Sequence, residues 1–541
     1  MPETWSFTLD GAPVSVVAEP KTPVLDVLRE QLGVTGAKGG CAPQALCGCC
    51  TVLVDGRPRV SCTLPTKSIA GKQITTLGGV TPDVRSALAE GFVRAGAVQC
   101  GYCTPGIALS AAALLEADPD PSVELIGRAL QPHVCRCTGY TSIVRGIQAA
   151  AALRRGEDPG LPARSRPEGA AIVLGERAYV EDLVRPGLLH GAVVLAPVAR
   201  GVVEAVELPD GAMGVILRGP GSEIEHAGVV IAAVVAEDPV RAAELAGATV
   251  VRLGPPLPPA SDVVARGRRV DGDVAAAFSA AAHVVEGTWA TAATDPVYLE
   301  PEAALAVPSV DGIVVYSPGH DAYAEAAALT AALGRPVVVR LVPSGGSYGG
   351  KEGLPLPEVA ARLAAIAEAP VRVAVAHEVG MRLHRRRPPA EVSVRAGCGP
   401  AGEGLALAVR ARFDGGADVL GADRIVAAAL GAVAYDGVLE LEAEVVSGDG
   451  AATGPIRGAG AVAVAHAVEQ ALDALARKAG LDAWWLRTRA LGEDGAAVLA
   501  GLEAAWAAAA PQGEGDGRGV ALVRADGAGG ARVIARRDGA N

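Results

Sequence analysis

Residues 41–62 read CAPQALCGCCTVLVDGRPRVSC, and two shorter runs follow, QCGYC at 99–103 and VCRC at 134–137. Nine of the chain's ten cysteines lie in these runs, eight of them as two quartets. Cys41, Cys47, Cys50 and Cys62 are spaced C-x5-C-x2-C-x11-C; Cys100, Cys103, Cys135 and Cys137 are spaced C-x2-C-x31-C-x-C. In a reducing compartment, thiols bunched this way are metal ligands rather than disulfides. Each iron of a [2Fe–2S] cluster takes two thiolates, and the first quartet is one residue longer at the front than the C-x4-C-x2-C run of one common ligation pattern. A structural zinc also takes four cysteines, but it favours two C-x2-C knuckles, and neither quartet has both. Glycines 39, 40 and 48 let the backbone approach the sulfurs. Cys49 is spare, and a ligand set that uses it stays open. Two [2Fe–2S] clusters in series make a wire for electrons.

Outside the cysteines, composition sets limits. A chain of 541 residues, half of them apolar, holds three or four globular domains. A net charge of −12 offers no basic field to nucleic acid or an anionic membrane. MPETWSFTLDG has no export signal, and no run of about 18 uncharged apolar residues exists to span a bilayer. A cytoplasmic protein without nucleic-acid or membrane partners is expected.

Working outward, residues 1–78 are β-rich: Trp5, Phe7 and Leu9 alternate with polar residues, Asp10-Gly11 turns the chain, and Val14 and Val16 resume the alternation. A short helix over Val24–Leu32 and a strand at Thr51–Val54 are expected next. Residues 79–155 change to helical spacing, over 83–95, 105–117, 122–131 and 141–154, with the second cysteine quartet at the helix junctions. The Gly-, Pro- and charge-rich segment 156–170 is a linker. Beyond it the pattern is mixed, with strands at 192–196, 202–207, 228–235 and 249–253, a helix near 239–247, then strands at 313–317, 337–342, 371–375 and 441–446 alternating with helices at 322–334, 357–368 and 461–479.

The motifs TGAKGGC (35–41), LCGCCTVLVDG (46–56) and SCTLP (61–65) resemble the ferredoxin-like domain of the molybdenum hydroxylases, the xanthine dehydrogenase and aldehyde oxidoreductase group. QCGYCTPG (99–106) and VCRCTGYTSIVRGI (134–147) resemble that group's helical [2Fe–2S] domain. GERAYVEDLVRPGLLHGAVVLAPVARG (175–201), VVEGTWATAATDPVYLEPEAALA (284–306), SGGSYGGKE (344–352) and GPIRGAGAVAVAHAVEQALDALA (454–476) resemble, more weakly, parts of its molybdopterin-binding module. The resemblance implies an α+β multidomain chain: a β-grasp ferredoxin-like domain (1–78), a four-helix [2Fe–2S] domain (79–155), a hammerhead-like α/β domain (171–267) and the first part of a molybdopterin-binding domain (268–541). It implies two [2Fe–2S] clusters on the two quartets, with the helical domain's cluster nearer molybdenum. Gln99 faces the pterin, Tyr348, Gly349 and Gly350 bring backbone N–H groups towards the molybdenum ligands, and Arg457 marks another cofactor loop. Glu352, the candidate catalytic residue, touches substrate. The activity implied is oxidative hydroxylation of an aldehyde or an N-heterocycle such as a purine, with electrons leaving through both clusters.

Several positions depart from that pattern. Pro296 stands where a His often precedes the LEP motif, His320 where a Gln is expected, and Ala461, Val462 and Ala463 where Pro-Pro-Gln often follows. Between Cys137 and Gly175 there is no room for a flavin (FAD) domain, so a separate acceptor, a flavoprotein or other carrier, is expected. The sequence reaches Asn541 before the family's Gly-Gln-Gly loop and glutamate base, so the chain is expected to be catalytically incomplete without a second chain. The alternative is an electron-transfer protein with a non-catalytic module. Gly345-x4-Gly350-Lys351 imitates a phosphate loop, but Glu352 replaces its hydroxyl residue. Gly458-Ala459-Gly460-x2-Ala463 imitates a dinucleotide fingerprint, but Asp473 falls inside the following helix. The run Arg382, Arg385, Arg386 and Arg387 is a solvated face or an anion contact, Cys398 a buried thiol, and Trp484 and Trp485 packing residues.

Overall fold

Two Asp-Gly turns organise the first domain. Asp10 (φ 50) and Gly11 (φ 87) join Glu3–Leu9 to Ala12–Ala18, and Asp55 (φ 50) and Gly56 (φ 76) join Thr51–Val54 to Arg57–Val60. Both turn residues are left-handed, which suits the twist of a tight hairpin. Gln73–Thr75 lies between the hairpins, parallel to the first strand, giving a five-stranded sheet. The helical turns over Val24–Gln31 close its apolar face, burying Val24, Leu25, Val27 and Leu28 against Phe7, Val52 and Ile74. The structure is a computed structural model describing residues 1–258 and 261–491, with the backbone of four short strands between 517 and 537. Most of the tail GRGVALVRADGAGGARVIARRDG lies outside the described residues.

Four helices follow: Pro82–Arg94, Thr104–Ala117, Val123–Leu130 and Thr141–Arg154. The first and last cross closely because Gly91 has no side chain; a Cβ there would stand 2.6 Å from Gly146 O. Thr104–Ala117 is buried on nearly every side, which explains its unbroken apolar sequence. The connection from Arg155 to Glu168 is pinned, with Arg166 donating to the carbonyls of Val98 and Gln99.

The rest is built on two large sheets. A seven-stranded mixed sheet runs Val337–Leu341, Gly312–Ser317, Ala303–Ser309, Val371–Ala374, Leu189–Leu195, Val230–Ala236, Met213–Ile216, drawing strands from both sides of residue 268. The helix Leu356–Ala367 covers it. A small three-stranded sheet over 201–253 stands beside it. A five-stranded sheet runs Val263–Asp271, Val438–Val446, Ala406–Asp414, Ala390–Cys398, His283–Thr291, with Ala422–Leu430 and Ala461–Ala479 on its apolar face. Periodicity anticipated only part of one of these five strands. Their other face carries Arg266, Arg268, Arg410 and Arg412 opposite Glu440, Glu442 and Glu444, so each strand by itself looks too polar. Among the described residues no helix is long and apolar enough to cross a membrane.

Candidate functional site

The loop before Thr51–Val54 carries three of the first quartet's thiols. Cys41 Sγ accepts backbone N–H bonds from Leu46 (3.1 Å) and Cys47 (3.2 Å). Gly40 keeps this tight: a Cβ there would lie 3.1 Å from Cys47 Sγ and 3.3 Å from Cys49 Sγ. The following hairpin returns Cys62 to Cys50. Hydrogen bonding from Cys49 brings the Cys47 thiol down to about 6, and bonding from Cys62 brings Cys50 to about 7, both against the opposing effect of burial. Cys49 is completely buried and its thiol is pushed up.

The second quartet forms at the helix junctions. Cys103 caps Thr104–Ala117, while Cys135 and Cys137 precede Thr141–Arg154. Cys137 Sγ lies 3.4 Å from Cys100 Sγ, and Cys135 pairs with Cys103. These thiol hydrogen bonds lower Cys137 to about 6 and Cys135 to about 5. Among the described residues no three His, Cys, Asp or Glu side chains converge as a single ion requires. Thiols taken in pairs, one pair per iron, fit a two-iron cluster better than a tetrahedral zinc. No cysteine is in a disulfide. The two quartets sit back to back: Val134 N donates to Cys47 O (3.0 Å), and a Cβ on Gly106 would lie 2.4 Å from Gly48 O.

The loop 344–352 meets the second quartet. Tyr348 Oη lies 2.8 Å from Cys137 Sγ, and the Arg136 guanidinium stands 5.5 Å from the Tyr348 ring. Arg457 N donates to Tyr348 O (2.8 Å), bringing the 454–460 loop alongside. Gly349 packs on Pro455 and Ile456, and Gly350 on Pro296 and Tyr298, with no space for side chains. Gln99 is exposed next to Cys100. Glu352 stands further out, ion-paired with Arg424 (2.7 Å) and 3.7 Å from His320 Nδ1.

Lys351 explains the failed phosphate-loop reading. Its ammonium is buried on Glu300, which also accepts from Gly345 N (2.6 Å), so it anchors the loop from behind and cannot reach a phosphate in front. The glycine turn at 458–460 leads into a helix whose Asp473 is held by Arg487 (2.8 Å), leaving no acid for a ribose. Arg385, Arg386 and Arg387 are half-buried and hydrogen-bonded to backbone carbonyls, so this run is not a solvated face. Cys398 and Trp484 are buried, while Trp485 is half exposed.

Sequence reasoning missed a buried cluster behind the loop. His384 lies between Asp295 (3.1 Å) and Glu302 (3.3 Å), with the Tyr298 ring 4.6 Å away and its hydroxyl on Glu302. The only signal was the acidic LEPE run at 299–302. Burial alone pulls the His384 pKa down, but the two carboxylates outweigh it and raise it to about 9. A raised pKa gives stability that is complete below the unfolded value of about 6.5 and lost as pH rises through about 9. Thermal midpoints are therefore expected to fall between pH 6.5 and 9, and His384→Gln to flatten that fall. An unchanged profile in the variant refutes this.

Three family models match: the 2Fe-2S iron-sulfur cluster binding domain over residues 7–73, the [2Fe-2S] binding domain over 76–148, and the molybdopterin cofactor-binding domain over 259–491. The nicotinate dehydrogenase small FeS subunit of Eubacterium barkeri is 44% identical over 148 residues, which are 27% of this chain and 94% of that subunit. The chain belongs to the molybdenum hydroxylase family. The aldehyde oxidoreductase of Megalodesulfovibrio gigas is 35% identical over 241 residues, 41% of this chain but 26% of that protein. The solved aldehyde oxidoreductase from Desulfovibrio gigas superposes with a TM-score of 0.86 at 25% identity, covering 96% of this chain and 68% of that one. This molybdenum hydroxylase-type oxidoreductase carries two [2Fe–2S] domains and a molybdopterin-binding domain. No flavin domain is indicated; the helix Thr141–Arg154 is followed almost at once by Gly169–Val173. Some relatives are separate subunits of larger enzymes.

The residues around Tyr348 fit such a cofactor. Ser347 Oγ is buried without a partner. The Arg457 guanidinium and the Gln99 carboxamide are exposed and unpaired among the described residues. A polar, anionic group suits that donor set.

Proposed function

We propose that Cys41, Cys47, Cys50 and Cys62 hold the first [2Fe–2S] cluster in a β-grasp ferredoxin-like domain (1–78), and Cys100, Cys103, Cys135 and Cys137 the second in a four-helix domain (79–155). The hammerhead-like part, read from sequence as 171–267, shares its seven-stranded sheet with strands from 303–374 and so is continuous with the molybdopterin module. Gln99, Tyr348, Gly349, Gly350 and Arg457 hold the molybdenum cofactor. Bound there, that cofactor supplies the two-electron oxidation of an electron-poor carbon, with water as the oxygen source. Glu352 orients a small substrate, an aldehyde or N-heterocycle, held in place by Arg424 and with His320 beside it.

The observation that carries this reading is the contact of Tyr348 with Cys137, which sets the loop for molybdenum directly against a ligand of the second cluster. The Gly48–Gly106 contact, where the two quartets meet, would place a first cluster next to the second, and a separate carrier in the cytoplasm would be the final acceptor. By analogy with the relatives that are separate subunits, the chain works together with partner chains.

Metal analysis tests it. The protein purified with its partners is expected to hold about four iron atoms per chain, stoichiometric molybdenum, and two distinct electron paramagnetic resonance (EPR) signals on reduction. Iron without molybdenum, and no hydroxylase activity, would leave only an electron-transfer protein.

A further inference from the structure

One side chain of the molybdenum-facing loop touches the iron–sulfur machinery itself. Tyr348 adopts φ 55, a left-handed conformation that a tyrosine rarely adopts and that the rest of the loop maintains. Arg457 N bonds its carbonyl at 2.8 Å, and Gly346 leaves room beside the ring, where a Cβ would lie 3.5 Å from the hydroxyl. Arg136, between the two ligand cysteines, lays its guanidinium over the ring and donates to Pro296 O (3.2 Å). The phenol so aimed ends 2.8 Å from Cys137 Sγ. A cysteine bound to iron has no proton, so the phenolic O–H is the donor.

We propose that Tyr348 sets the reduction potential of the second cluster by donating a hydrogen bond to the sulfur of Cys137. Reduction adds an electron, and the added negative charge spreads onto the thiolates. A donor at the sulfur stabilises the reduced form more than the oxidised form and raises the potential. The same loop therefore meets the molybdenum cofactor and makes its first electron acceptor easier to reduce. Tyr348 is a positioning and tuning residue in this role.

The inference rests on the second quartet holding a cluster, and the wild-type EPR spectrum tests that separately: a single signal there would remove the assignment and the proposal together. With both signals present, Tyr348→Phe keeps the ring and deletes the donor. Poised at a fixed potential, the variant's second cluster is expected to show an oxidised-to-reduced ratio about tenfold higher, which is roughly 59 mV for one electron. The first cluster's midpoint stays in place. An unchanged second midpoint, or equal shifts in both clusters, overturns the proposal. In case the variant loses the cluster, wild-type enzyme exposed only briefly to D₂O provides an independent reading: a deuteron that exchanges faster than the backbone amides bonded to the cysteine sulfurs is expected to couple to the reduced second cluster. Its absence overturns the proposal as well.

Discussion

Cys137→Ser is expected to abolish one of the two [2Fe–2S] signals and leave the other unchanged. Cys137 and Cys100, 3.4 Å apart, are the pair proposed for one iron, and an alcohol is a much poorer ligand than a thiolate. Losing one member leaves that iron with a single thiolate, so the second cluster does not assemble. Iron falls by about half, from about four to about two per chain. The ligands proposed for the first cluster, Cys41, Cys47, Cys50 and Cys62, include none of the residues of this site. Turnover with an external acceptor is expected to fall by at least about 100-fold, because the second cluster stands between the loop of Tyr348 and the first cluster. Iron analysis and EPR on protein with native circular dichroism decide the matter. If both signals vanish from folded protein, the division into two independent cluster domains is wrong.

Asp182→Ala is expected to cost about 3–5 kcal/mol of stability. The Asp182 carboxylate accepts from Lys38 Nζ (2.5 Å), Arg29 Nη2 (2.8 Å) and Tyr179 N (2.9 Å). It ties the first domain to the segment that opens the molybdopterin-side fold. Lys38 is completely buried, and burial pushes its ammonium below the ordinary lysine value while Asp182 pulls it back up. Without the carboxylate, two cations are left in the interior, with Glu181, 3.6 Å from Arg29, as a weaker partner. The exposed pair Glu124–Arg128 is the control, and Glu124→Ala is expected to cost under about 1 kcal/mol. Denaturant unfolding followed by far-ultraviolet circular dichroism measures both. A loss under about 1 kcal/mol for Asp182→Ala would show that water or a neighbour compensates the buried cations.

Features written along the chain were legible. The Asp10-Gly11 hairpin, the four helices around the second quartet and the strand returning Cys62 all follow from local turn chemistry and apolar period. The long strands of the five-stranded sheet were not. Arg266 and Arg268 look like a solvated loop until Glu440 and Glu444, more than 170 residues away, come alongside. Arg385 and Arg387 look like a charged surface because the carbonyls they bond, those of Thr453 and Arg457, lie about 70 residues further on. His384 carried no signal, since Asp295 and Glu302 gather around it only on folding.

Sequence alone determined the two thiol quartets, the two-domain iron–sulfur arrangement and the family. Ligand spacing, turn residues and helical period are set within a few residues and need no knowledge of what packs where. Tertiary structure decided how the thiols pair, that Lys351 faces Glu300 and not a phosphate, and that Tyr348 reaches Cys137. Those outcomes depend on groups tens to hundreds of residues apart, and burial fixes them: a charge or a donor in the interior must find its partner, wherever in the chain that partner lies.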